Sequence, residues 1–330
     1  MYESVLKEVL QAYGIEYTKA YDHQKGYRNE IWPVRTKDGR MVNVTFYKRE
    51  RGIVDRIRRA DAVSEYLQSH GMPTRQRIDP RILQLSGAGG VTNTAVYTYL
   101  PGETIPWEAY TMTHLKLLGK TMSDMHALLA GMPGNDLPSV YDEYNVIIKR
   151  MHQYFMQFTV KNAIEQKLRL SVDINRLDAC AGIFAQCQAL PARQALHMDF
   201  VRGNILFNAA SPSDGRQLDG LAISGILDFE KTAVGSPIVD IARTLAFLLV
   251  DCKYKTTEKI EKYFLYSGYQ KRGANKAIGD ASLRLCLVKL FLVYDFYKFL
   301  RHNPYESLHS NEHYLRTRDI LLEHDMIRYI

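Results

Sequence analysis

Apolar and polar residues alternate along the first hundred positions, and beyond them the spacing becomes helical. RNEIWPVRT (28–36) and MVNVTFYK (41–48) read as strands, and KDGR between them carries the Asp38-Gly39 pair that favours a tight hairpin. RILQLS and TNTAVYTYL form a second strand pair joined by GAGGV. Between the two pairs, GIVDRIRRADAVSEYLQSHG spaces Ile53, Ile57, Ala60 and Leu67 as one helical face and closes on Gly71, with Pro73 just beyond. Two hairpins around one helix make a small lobe. After LPGETIPWE the character changes: MTHLKLLGKTMSDMHALL, YNVIIKRMHQYFMQF and most of the chain beyond residue 240 keep helical periodicity. The boundary falls near Leu100 to Thr104, which predicts an N-terminal lobe over residues 1–102 and a C-terminal lobe over 103–330.

Composition adds limits to this picture. A chain of 330 residues exceeds the usual single-domain size, and 46% hydrophobic with 24% charged residues suffices for a substantial core. The opening MYESVLKEVLQAYG reads as a short amphipathic helix and not as a signal peptide, so a cytoplasmic location is expected. The most apolar late stretch, LRLCLVKLFLVYDFYKFL, carries Arg284, Lys289, Asp295 and Lys298, too many charges for a membrane span. Cys180, Cys187, Cys252 and Cys286 form no C-x-x-C pair and are expected as reduced, buried thiols. The net charge of +7 permits anionic ligands. The densest basic stretch, KRERGIVDRIRR, reads as a solvated helix face and lacks the interleaved aromatics of a single-strand binder, so nucleic acid is not an expected partner.

Glycine clusters and one polar cluster carry the candidate chemistry. GAGG (87–90) has no lysine and opens no helix, which makes it a hairpin turn and not a Walker loop. QKGYRN (24–29) sets Gly26 between two strands, where backbone N–H groups could cover phosphates. HMDFVRGN (197–204) puts His197, Asp199 and Asn204 within one loop. Taken alone it also reads as a turn whose Asp and Asn satisfy backbone groups. Downstream, in ISGILDFEKTAVGSPIVDIARTL, the apolar run Ile223 to Leu227 ends in Asp228, as a buried strand would if it delivered a carboxylate to a site. Phosphoryl transfer from a nucleotide needs Mg²⁺ held by oxygen ligands, which Asn204 and Asp228 offer, and a carboxylate that orients the acceptor hydroxyl and takes its proton, for which Asp199 is the candidate.

These motifs resemble the aminoglycoside phosphotransferase and choline kinase superfamily over about Gly26 to Leu249. The resemblance implies an α+β, two-lobed protein-kinase-like fold, with a small antiparallel sheet and one helix in the N-lobe and a larger, mainly helical C-lobe. It implies a kinase that moves the γ-phosphate of ATP or GTP, with Mg²⁺, to a hydroxyl of a small molecule. His197 and Asp199 match the family's catalytic motif, Asn204 and Asp228 its metal ligands, and Asp240 of GSPIVDIA the aspartate that braces the catalytic loop. Gly26 and Asn29 fall at its phosphate-binding positions, with Lys48 as the candidate for its phosphate lysine, and Tyr99 and Leu100 where main-chain atoms meet the purine. His126 matches a packing histidine.

The phosphate lysine is where the pattern departs. The family's usual spacing from Asn29 places it at Thr45, while the nearest lysine is Lys48. Residues 44, 46 and 48 share one strand face, so a one-residue bulge would be needed to bring Lys48 inward. Its acidic partner on the following helix is Asp61 or Glu65. With neither lysine nor acid in place, the chain would be a nucleotide-binding protein with weak or no transferase activity, a sensor or regulator. The acceptor is open between a sugar, an amino alcohol, another hydroxylated metabolite and a protein side chain. Residues 240–330 hold 15 lysines and arginines against 11 acidic residues, which disfavours a polycation such as an aminoglycoside. Tyr263, Phe264, Tyr266 and Tyr269 are spaced as core, or could stack on a sugar or a quaternary amine.

Overall fold

A computed structural model describes residues 2–25, 29–87, 90–106, 108–133, 136–209, 217–270 and 280–330. The chain forms two compact units, the first of Met1–Glu103 with Ile205–Asn208 and Ile223–Glu230, the second of Thr104–Asn204, Ala209–Ala222 and Lys231–Ile330.

In the first unit, helix α1 (Tyr2–Ala12) precedes strands β1 (Tyr17–Ala20), β2 (Gln24–Lys25), β3 (Glu30–Thr36) and β4 (Met41–Tyr47). Helix α2 (Ile53–Ser69) follows, then β5 (Leu83–Gly87) and β6 (Gly90–Thr98). The strands pair antiparallel in the order β1-β3-β4-β6-β5, with β2 on β3. Successive side chains leave a strand on opposite faces, and both faces of this sheet are covered. Val34, Val42, Val44, Phe46 and Val96 pack with Leu6, Val9 and Leu10 of α1. Tyr47, Ala95 and Tyr97 pack with Ile53 and Ile57 of α2. The opening amphipathic segment is therefore core. Gly87 and Gly90, the ends of the GAGG segment, are paired, and the two residues between them lie outside the described residues.

Two later segments complete this unit. Glu103 and Phe207 exchange backbone hydrogen bonds of 3.0 and 2.9 Å, and Ile226 N donates to Pro73 O at 2.8 Å. Gly102 has φ 128, and a Cβ there would lie 2.2 Å from Ser224 Oγ and 2.9 Å from Phe207 O. Only glycine takes this backbone without strain at so close an approach.

The second unit is mainly helical: α3 (Met112–Leu129), α4 (Val140–Met156), α5 (Phe158–Ala163), α6 (Ile174–Gln186), α7 (Pro237–Asp251), α8 (Thr257–Glu261), α9 (Ala281–His302) and α10 (Glu312–Glu323). Thr111 opens α3 with a capping box shared with His114, satisfying donors that the first helical turn leaves unpaired. Helix α3 lies tight against the π-helical segment Lys262–Tyr269, since a Cβ at Gly119 would fall 2.0 Å from Phe264 O. Helix α7 is buried along nearly its whole length, which fits its largely apolar sequence, and Asp240 and Arg243 are buried with it. The short strand Gln194–Leu196 pairs antiparallel with Ala233–Gly235, with Leu196 opposite Ala233. This pairing brings the start of α7 beside the HMDFVRGN loop.

Among the described residues no helix is long and apolar enough to cross a membrane. The cysteines are free, three of them buried and Cys286 half-buried. Along the basic stretch, Lys48, Arg49, Arg51 and Arg58 are exposed, and Arg56 pairs with Glu50 at 2.6 Å. Phe264 and Tyr269 are core, whereas Tyr266 is exposed, so the late aromatic group shares no single surface.

Candidate active site

The second unit builds its loop around a buried carboxylate. Where the strand Gln194–Leu196 ends, Met198 adopts φ 61, which turns two successive backbone N–H groups to one side. Asp240, in the first turn of α7, accepts both: Oδ2 from His197 N at 2.8 Å and Oδ1 from Met198 N at 2.9 Å. Its Oδ2 also lies 3.1 Å from His126 Nε2, while His126 Nδ1 meets Tyr269 Oη at 2.8 Å. Gln194 Nε2 donates to His126 O at 2.8 Å and closes the network. Burial acts to raise the proton affinity of Asp240. The hydrogen bond and charge of His126, with the ring and N–H of His197, outweigh it and hold the carboxyl below the usual range.

Removing this brace has a definite expected cost. Asp240→Ala strands two buried N–H donors and the His126 ring, a loss on the order of 3 kcal/mol or more. Because the folded carboxyl is held low, its contribution is complete above the unfolded value of about 4 and is lost as pH falls through the lower folded value. Thermal melts of both proteins should show a gap in melting temperature that is widest near neutral pH and shrinks in acid. A constant gap down to strongly acidic pH would contradict the assignment.

Asp199 stands on this braced turn with a tenth of its side chain exposed. Lys231 Nζ lies 2.7 Å from its Oδ1. Asn204 Nδ2 donates to its backbone O at 2.9 Å and to Oδ2 at 3.2 Å. Both amide hydrogens of Asn204 are thus used on Asp199, and its amide oxygen is the acceptor end of the group. Asp199 N donates to His197 Nδ1 at 3.2 Å. His197 is completely buried and packs edge-on against Phe200.

In the first unit, Asp228 follows the strand Leu221–Ile226 with φ 58 and accepts from Glu230 N at 3.3 Å. Glu230 Oε1 accepts from Asn29 Nδ2 at 2.6 Å, and Asn29 Oδ1 from Lys48 N at 3.3 Å. Asn29 therefore ties the β3–β4 hairpin to the loop that carries Asp228. Gly26 lies outside the described residues. Tyr99 and Leu100 follow directly on β6, Tyr99 exposed and Leu100 half-buried. Strand β4 keeps continuous register with both neighbours from residue 42 to 46, with no bulge in that span, and Lys48 stands exposed beyond the strand. Of the two candidate acids on α2, Asp61 is buried and Glu65 exposed.

Three polar side chains in these networks were not anticipated from the sequence: Lys231 on Asp199, Glu230 on Asn29, and Arg75, whose guanidinium lies 3.9 Å above the Tyr97 ring. Lys231 had one signal, its place directly after LDFE.

Comparison with known proteins gives a consistent result. Residues 22–252 match the family described as "Phosphotransferase enzyme family". None of the curated proteins matches the chain in sequence. Among solved structures, the amicoumacin kinase hAmiN in complex with AMP-PNP, Ca²⁺ and Ami is similar with a TM-score of 0.71 at 16% identity, over 98% of this chain and 93% of that one. A microcompartment-associated aminopropanol kinase is similar with a TM-score of 0.69 at 13% identity, over 98% and 99%. The GDP complex of an aminoglycoside 2'-phosphotransferase follows with 0.56 at 15%, over 98% and 97%. The shared architecture is the α+β kinase-like fold.

Proposed function

The chain belongs to the phosphotransferase enzyme family, and we propose that it moves the γ-phosphate of ATP or GTP, assisted by Mg²⁺, to a hydroxyl of a small molecule, with Asp199 as the base. The observation that carries this reading is the convergence on Asp199: a carboxylate left partly exposed, oriented by Asn204 and Lys231 on a loop that Asp240 braces.

In the reaction, the acceptor oxygen forms a bond to the γ-phosphorus, the bond from that phosphorus to the β–γ bridging oxygen breaks, and the hydroxyl proton passes to Asp199. Lys231 sets a positive charge against one oxygen of Asp199, and Asn204 fixes its rotamer. His197 and Asp240 are positioning residues that hold the loop. Asn204 and Asp228 each offer an uncharged or anionic oxygen, the donor type that Mg²⁺ takes alongside phosphate oxygens and water. When bound, Mg²⁺ offsets phosphate charge. Tyr99 and Leu100 meet the purine through their main chain.

The names of two similar proteins, kinases of amicoumacin and of aminopropanol, support a small hydroxylated acceptor. The test is release of ADP or GDP by the purified protein with Mg²⁺ while sugars, amino alcohols and aminoglycosides are added one by one. Release that rises with one acceptor class is expected. Nucleotide binding without acceptor-dependent release from any of them would favour the sensor reading instead.

A further inference from the structure

Among the described residues, the face of β4 that meets α2 carries no cation of the strand's own. It displays Asn43, Thr45 and Tyr47, with Tyr97 and Ala95 of β6 opposite Asn43 and Thr45. Thr45 is buried, and among the described residues neither its Oγ1 nor Asn43 Oδ1 has a hydrogen-bond partner. A triphosphate docking against such a face would meet polar but uncharged groups, and its charge calls for a positive partner.

We propose that Arg75, stacked on Tyr97, is the side chain that receives the nucleotide's phosphates, in place of a strand lysine. This rests on the phosphotransferase reading above. Arg75 follows α2 and reaches the same face. Its guanidinium is stacked 3.9 Å above the Tyr97 ring and donates to Tyr47 Oη at 3.2 Å, and the two tyrosine hydroxyls lie 2.5 Å apart. Stacking fixes the plane of the fork, and among the described residues Tyr47 is its one hydrogen-bond partner, so most of its five donors are available to phosphate oxygens.

The surrounding charges suit that task. Asp61 is buried and pairs with Arg77 at 2.9 Å, and Arg75 and Arg77 both act on its carboxyl. Burial disfavours charge on Arg75, yet Tyr47, Tyr97, Asp61 and Asp228 together hold it firmly protonated. Arg75 is thus a permanent cation in the field of both the helix acid and Asp228, the carboxylate proposed for Mg²⁺. Lys48, exposed beyond the strand, has none of these partners.

Calorimetric titration of the full chain with MgATP, MgGTP, adenosine and guanosine tests the assignment. Arg75→Met should lower affinity for the preferred triphosphate at least about tenfold, the loss of one charge-assisted hydrogen bond or more, and leave nucleoside affinity unchanged. Adding Thr45→Lys to that variant puts a cation on the same face and should recover much of the loss. Should Arg75→Met melt well below wild type, Arg75→Gln keeps the donor to Tyr47 and carries the same expectation. Wild-type triphosphate affinity in these variants, or a loss on Lys48→Ala in their stead, overturns the proposal while the kinase reading stands. A wild-type protein that binds neither triphosphate overturns both.

Discussion

Asp199→Asn is expected to lower kcat by about 10²- to 10⁴-fold, the usual contribution of general-base catalysis, while the Kd of the nucleotide stays near the wild-type value. The amide is nearly isosteric with the carboxylate, and its oxygen still accepts from Asn204 or lies beside Lys231, so the loop keeps its geometry. What is lost is the group that takes the hydroxyl proton. Because Asp199 acts on the acceptor, binding and turnover should separate. Steady-state kinetics with calorimetry on the same preparation checks this, and a variant that loses nucleotide affinity in proportion to rate would point to a fold defect instead.

Asp228→Ala is expected to have a comparably large effect on a different quantity. If Asp228 holds Mg²⁺ against the triphosphate, the variant loses the metal-dependent part of ATP or GTP affinity, tenfold or more if a single ligand is worth at least about 1.4 kcal/mol. If the protein is a sensor that binds nucleotide without metal, removing a carboxylate near the phosphates leaves affinity unchanged or raises it. The two readings predict opposite signs. Titration of wild type and variant, each with Mg²⁺ and with chelator, separates them, and metal-independent wild-type binding with an equal or tighter variant would sink the kinase account.

Periodicity alone makes the larger elements legible. Helix α3 runs over the residues that the spacing predicts, because its apolar stripe and its cap at Thr111 agree. Helix α4 begins at Val140, ahead of the apolar run YNVIIKRMHQYFMQF, because Ser139 caps it there. Strands β1 and β2 leave no such trace: four and two residues are too short to show alternation, and sheet pairing defines them.

The same division runs through the site. Asp199 and Asn204 share one loop, so their partnership follows from spacing, and Asp240 from a linked motif. Lys231 reaches Asp199, and Arg75 reaches Tyr47, across separations that no local pattern encodes. Strand spacing is local information, and it points to a lysine on β4. The arginine lies on the segment after α2, and only the packed sheet shows that both positions serve one face.

Transfer of a phosphoryl group to a small-molecule hydroxyl is decided by the fate of the γ-phosphate. Phosphorus NMR of the wild-type protein with MgATP or MgGTP and the acceptor that stimulates nucleotide turnover follows that atom without a coupled reporter. The γ resonance is expected to be replaced by that of a phosphate monoester on the acceptor, in step with the appearance of ADP or GDP. A nucleotide that stays intact, or one that yields only inorganic phosphate whatever acceptor is present, would contradict it.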